Sequence, residues 1–179
     1  MNSHSLIIPA SFVVLSAAIG GSVSRAQSQS PVKVDPAIVA KNVGDMTAEE
    51  EQAFSDAAEA TMQRVCVTCH PFENIIKTRR TIREWNDQVT AMKSRGAPGT
   101  DPDFATIKTY LIRWYGIVPV NTATAEELTS VLGLSAKDAN AIVDYRTAHG
   151  NFADLASLEK VEGIDKAKLE DQPEALRFN

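Results

Sequence analysis

The sequence predicts an all-α protein built from two small helical modules in series, and three observations carry that reading. Two capping boxes, Thr47 with Glu50 and Thr81 with Glu84, each introduce apolar residues at helical spacing. No stretch shows the apolar–polar alternation of a strand. Beyond Pro119 one pattern occurs twice at a constant offset, as Leu128-Thr-Ser-Val131-Leu-Gly133-Leu134 and as Leu158-Glu-Lys-Val161-Glu-Gly163-Ile164. Such a repeat predicts a short helix, a glycine-containing turn and a second helix, used in tandem.

The chain has 179 residues, 44% hydrophobic and 23% charged, enough for one or two small domains and not indicative of any function. At the N-terminus, Leu6 to Gly20 is a short apolar run followed by small and polar residues ending in Ser24-Arg25-Ala26. This reads as a secretory signal cut after Ala26, too short for a retained membrane helix, and it predicts a periplasmic or otherwise exported protein with no stable membrane insertion after cleavage. Cysteine is absent near the cleavage site, so no lipid anchor is indicated.

Residues 27–45 lack periodicity and read as a flexible leader, with order expected from about Thr47. A first helix over 48–65 places Phe54, Ala57, Ala58, Thr61, Met62 and Val65 on its inner face and delivers the chain to Cys66. A second runs from Thr81 to Arg95 and stops at Gly96, with Ile82, Trp85, Val89 and Met92 on one face. Asp101-Pro102 opens a third, with Phe104, Ile107, Leu111 and Trp114 inward until Gly116. The domains expected are therefore a signal over 1–26, a leader over 27–45, a first module over 46–118 and a second over 119–179. Residues 27–119 hold 11 basic and 12 acidic side chains, whereas 120–179 hold 6 and 11, so the second module is the acidic one.

Cys66-Val67-Thr68-Cys69-His70 is the C-x-x-C-H pattern of covalent haem attachment. Two thiols on one turn add to the two vinyl groups on one edge of a porphyrin, and the adjacent imidazole reaches the iron. Three other uses of the pair compete. A structural zinc usually takes four protein ligands, and the mature chain offers two Cys, His70 and a distant His149. A thioredoxin-like redox pair belongs in a βαβ setting, and a plain disulfide leaves His70 unexplained. One covalent haem c is the cofactor expected, held by Cys66, Cys69 and His70, with His70 a metal ligand. A buried cofactor also gives a core to a module of about seventy residues that has little of its own. Met92, on the face of Trp85 and Val89, is the candidate sixth ligand, and plain core filling is its competing role. Met62, Met46 and His149 are further candidates, and an iron left open on that side is the remaining case.

The run from Cys66 to Gly116 resembles a class I type monohaem cytochrome domain. Arg79-Arg80, Trp85, Val89-Thr-Ala-Met92, Gly96 and Tyr110-Leu111 resemble the haem domains associated with quinohaemoprotein amine dehydrogenases. The likeness implies a small cytochrome c-like haem domain and electron transfer. It places Trp85 at the cofactor and pairs Arg79 and Arg80 with haem propionates. Amine oxidation does not carry over, because the rest of such an enzyme is not in this sequence.

Val120-Asn121-Thr122-Ala123, the segment Ala141 to Arg146, Gly150-Asn151-Phe152 and the two glycine turns resemble the helix-hairpin-helix domain of competence-type DNA-uptake receptors. Members of that family grip DNA phosphates with backbone N–H groups of glycine-rich hairpins. This chain departs from the favoured Gly-x-Gly, carrying Gly133-Leu134-Ser135 and Gly163-Ile164-Asp165. Asp165 sets a carboxylate where a phosphate would approach, and the module is acidic, although Lys137, Lys166 and Lys168 lie near the turns.

The leading expectation is an exported electron carrier, not an enzyme, with a redox protein partner and a C-terminal docking module. The alternative is a DNA-binding helix-hairpin-helix protein of an uptake or surface apparatus with a haem accessory domain; nucleic acid ranks below a redox protein as partner. A peroxidase-like enzyme would need a positioned acid or base at an open iron, and no such constellation is evident.

Overall fold

The computed structural model describes residues 43–179; the expected signal, its cleavage after Ala26 and most of the leader lie outside the described residues. Helix α1 is Ala48–Val65, α2 Glu73–Ile76, α3 Ile82–Ser94 and α4 Asp101–Tyr115. Strand β1, Val118–Pro119, leads to α5 Ala125–Leu132 and α6 Ala136–His149, then α7 Leu155–Leu158, α8 Lys166–Glu170 and β2 Leu176–Arg177. Single 3-10 turns stand at Val43–Asp45 and Pro173–Ala175. Among the described residues no helix is long and apolar enough to cross a membrane.

The helix starts follow their caps. Thr47 and Thr81 accept from the backbone N–H of Glu50 and Glu84, whose carboxylates accept in return from the cap backbone. The same reciprocal box occurs at Thr100 with Asp103 and at Thr124 with Glu127. Asp103 also pairs with Arg64 of α1 at 2.6 Å, and that guanidinium holds its carboxyl down at about 2. Helix α3 ends as its sequence dictates, with Arg95 as C-cap and Gly96 at φ +91°.

Two cores result. Phe54, Ala58, Met62, Val65, Trp85, Val89, Phe104, Ile107, Tyr110 and Leu111 form the first, from α1, α3 and α4. The second gathers Val118, Leu128, Val131, Leu132, Leu134, Ile142, Leu158, Leu169 and Leu176. Each fully buried leucine there contributes about 2 kcal/mol of transfer free energy. Asn121 ties this core's loops together: its Nδ2 donates to Phe152 O (2.9 Å) and Phe178 O (2.8 Å), while its Oδ1 accepts from the Phe152 N–H (2.8 Å). Arg146 of α6 donates to Val120 O and Ala123 O, both at 2.5 Å, and so fixes the entry loop.

The described residues are mostly helical, consistent with the all-α expectation; the exceptions are β1 and β2, which pair in parallel, Val118 with Leu176 and Pro119 with Arg177, and a bridge between Arg80 and Gly116. Two-residue strands are too short for alternation to show. Within the expected leader, Val43 is buried and the Val43–Asp45 turn packs on α5. Pro119, expected as a boundary, sits inside β1 next to the start of the second core.

The cores are joined by Arg113 in the last turn of α4. Its side chain is 5% exposed; Nε donates to Glu51 Oε1 of α1 at 2.9 Å and Nη1 to Val131 O of α5 at 3.4 Å. The guanidinium also lies 4.3 Å over the Trp114 ring. Removing one partner of such a buried pair leaves the other uncompensated, so Arg113→Ala should cost about 3 kcal/mol. Equilibrium urea unfolding checks this, and both cores should lose stability together.

Candidate functional site

Helix α1 ends where the C-x-x-C-H motif begins. Cys66 is its C-cap, donating its N–H to Met62 O at 2.7 Å, and the Cys69 N–H reaches back to Cys66 O at 3.5 Å. The motif therefore turns off the helix end rather than extending it, which brings both side chains and His70 to the mouth of the first core. Both thiols are free, Cys66 half-buried and Cys69 exposed. Burial pushes the Cys66 thiol above its ordinary value.

His70 Nδ1 lies 3.4 Å from Pro71 O. With the proton on Nδ1, this contact orients the ring and leaves the Nε2 lone pair for a metal.

Cys66, Cys69, His70 and Met92 all line one cavity of about 570 Å³. Its apolar walls come from all three long helices of the first core: Val65 of α1, Val89 of α3, and Phe104, Ile107 and Leu111 of α4. The charged side chains lining it are Lys77, Arg80 and Arg95, and no carboxylate lines it, although the chain is net −5. The volume falls within the range of small-molecule and cofactor sites, about 300–1,000 Å³. Thiols on one turn, an oriented imidazole, a thioether, apolar walls and cations with no competing anion fit a porphyrin bearing two carboxylates.

The other expected site residues separate. Arg79 is not at the cavity: its Nη1 donates to Trp114 O (3.1 Å) and Gly116 O (3.2 Å), and its Nη2 pairs with Glu174 near the C-terminus. Arg80 does line it. The Arg80–Gly116 bridge makes this segment strand-like, and neighbours in an extended segment point to opposite sides. Trp85 is fully buried and donates Nε1 to Tyr115 O at 2.9 Å; the Arg80 guanidinium lies 5.0 Å over its ring. Trp85 thus supports a cavity residue without lining the cavity. Of the alternative sixth ligands, Met62 is fully buried, Met46 packs at the edge of the first core, and His149 lies tilted against Tyr145 in the second module with ring centroids 4.4 Å apart. None of these three lines the cavity. Lys77 and Arg95, which join Arg80 there, carry no sequence signal of their own; each becomes visible only once the helices are placed.

In the second module the two turns are built alike, with Gly133 at φ +66° and Gly163 at φ +76°. Lys137 and Lys166 are exposed, whereas Lys168 is half-buried with its Nζ on Gly133 O.

Residues 115–177 match the helix-hairpin-helix motif family, so this part of the chain is a helix-hairpin-helix domain. An uncharacterized protein of Haemophilus influenzae is 48% identical over 60 residues, covering 33% of this chain and 54% of that protein. Endonuclease/exonuclease/phosphatase family domain-containing protein 1 of Mus musculus is 49% identical over 53 residues, 30% of this chain and 9% of the relative. ComE operon protein 1 of Bacillus subtilis is 39% identical over 54 residues, 30% and 26% respectively. The chain thus spans about half of the first relative's length and a small part of the others. No solved structure matches significantly.

In cofactor-free protein Cys69 should alkylate before Cys66. The buried thiol releases its proton only at higher pH, so the gap should narrow as pH rises. Peptide mass mapping after timed iodoacetamide treatment at neutral and alkaline pH checks both statements.

Proposed function

We propose that this chain is an exported electron carrier in which residues 46–118 hold one covalently attached haem and the helix-hairpin-helix domain docks a redox protein partner. One observation carries the reading: Cys66, Cys69, His70 and Met92 line a single apolar-walled cavity that has cations and no carboxylate. A haem there supplies a reversible one-electron iron couple. The protein's own contribution is binding and tuning. Cys66 and Cys69 tether, His70 presents Nε2, and the aliphatic and Phe104 walls exclude water. Arg80, Lys77 and Arg95 offer charge to the propionates, and Met92 offers a thioether that raises the reduction potential. In this role the chain makes and breaks no substrate bond.

Protein produced with haem-maturation machinery should be coloured, should show a reduced-minus-oxidised visible difference spectrum, and should keep its colour after denaturation. Replacing both cysteines by Ala should abolish the retained colour, and Met92→Ala should lower the potential and disturb the low-spin spectrum. Colourless protein with free or mutually joined sulfurs overturns the proposal.

The comparisons favour a second reading over this one, because what they match is the helix-hairpin-helix part and one relative is ComE operon protein 1. On that reading the chain is a nucleic-acid-binding protein of an uptake or surface apparatus, and the first module is its haem accessory. Retention on duplex DNA at low ionic strength, falling steeply as salt rises, is the result it requires. Absence of retention at low ionic strength dismisses it.

A further inference from the structure

The two turns of the repeat share a left-handed glycine followed by a buried aliphatic residue, Leu134 in one and Ile164 in the other, yet the surroundings of the two glycines differ. Gly133 is buried, whereas Gly163 is exposed and a Cβ built on it would meet nothing within 4 Å. Three parts of the chain close over the first turn. The Arg113 guanidinium lies so near Gly133 that a Cβ there would sit 2.8 Å from its Nε. The Val43–Asp45 turn presses Gly44 on Leu134, whose carbonyl oxygen would stand 1.8 Å from a Cβ on Gly44. Lys168 gives its Nζ to Gly133 O.

Glycine is therefore required at Gly133 for two reasons, a left-handed φ and a contact, while at Gly163 the left-handed φ alone requires it. A turn that serves an outside ligand must be reachable. This one is covered by the cavity-bearing module and by the segment preceding α1.

We infer that the chain uses its first hairpin in cis, as the surface by which the helix-hairpin-helix domain holds the cavity-bearing module, and that an outside ligand of the domain meets the second hairpin at Gly163 alone. The first half of this inference stands on the contacts above; the half concerning a ligand rests on the nucleic-acid reading. The exposed turn is flanked by Glu162, Asp165 and Lys166, all exposed, so it offers mixed charge and not a basic patch.

Hydrogen exchange read by mass spectrometry on the full chain tests this. Amides of 131–136 should exchange slowly and those of 162–166 fast. Gly44→Ala should speed exchange at the first turn about tenfold and leave the second unmoved, since opening that interface exposes only local structure. Gly163→Ala, which meets no neighbour, should leave the first turn as it was. Equal exchange at both turns in the parent overturns the inference. So does a first turn unmoved by Gly44→Ala when circular dichroism shows the fold retained. Should Gly44→Ala fail to fold, Arg113→Met, which withdraws the first module's guanidinium from Gly133, supplies the same comparison. With a short DNA duplex added at low salt, new protection confined to 162–166 supports the second half and protection appearing at 131–136 overturns it. No binding of the duplex removes the nucleic-acid reading, and the exchange contrast then decides the first half by itself.

Discussion

A guanidinium taken out of water between two modules has to be matched on every side, and Arg113 is. Glu51 answers its charge, Val131 O accepts one of its protons, and the Trp114 ring lies beneath its plane. A buried ion pair of this sort adds little net stability compared with apolar packing, but it penalises every arrangement that separates its members. The consequence is registry. Helix α4 belongs to the first core and ends at the start of the second, so an orientation fixed at its last turn is inherited by both. Arg79 repeats the logic nearby, joining the Trp114 and Gly116 carbonyls to Glu174.

The first module sets three long helices and the short α2 around a cavity. Val65, Val89, Phe104, Ile107 and Leu111 supply its apolar walls. In the second module Leu128, Leu132, Leu134, Leu158 and Leu169 are fully buried, and the loops are closed by Asn121 and Arg146. The two modules thus differ in construction, one holding a cavity beside its core and the other closed by packing.

Much of this was legible in the residues. The boxes at Thr47 and Thr81 marked their helices because Glu at the third position is the familiar partner. The box at Thr100 is hidden by Asp103, a shorter carboxylate, and the one at Thr124 with Glu127 stands just ahead of the first repeated segment. Cysteine spacing announced the candidate site, and Met92 joined it through simple helical periodicity. What sequence could not deliver was sidedness in extended segments. Arg79 and Arg80 look interchangeable until the bridge to Gly116 sends one to the cavity and the other to Glu174. Trp85 was drawn toward the cofactor by resemblance, and its actual place, beneath Arg80, depends on a tertiary hydrogen bond to Tyr115 O. The β1–β2 pair was equally invisible, being two residues long and 58 positions apart.

That small parallel pair has a consequence for how the domain is made. Its two hairpins are made of contacts close in sequence, whereas the seam that shuts them requires Leu176 to reach Val118 across 58 positions. Until that pairing is made the domain is an open clasp, with Val118 and Val120 lacking the backbone partners that cover them in the finished fold. Proteolytic trimming that reached Leu176 would return it to that state, so the integrity of a few late residues governs a core laid down almost entirely before them.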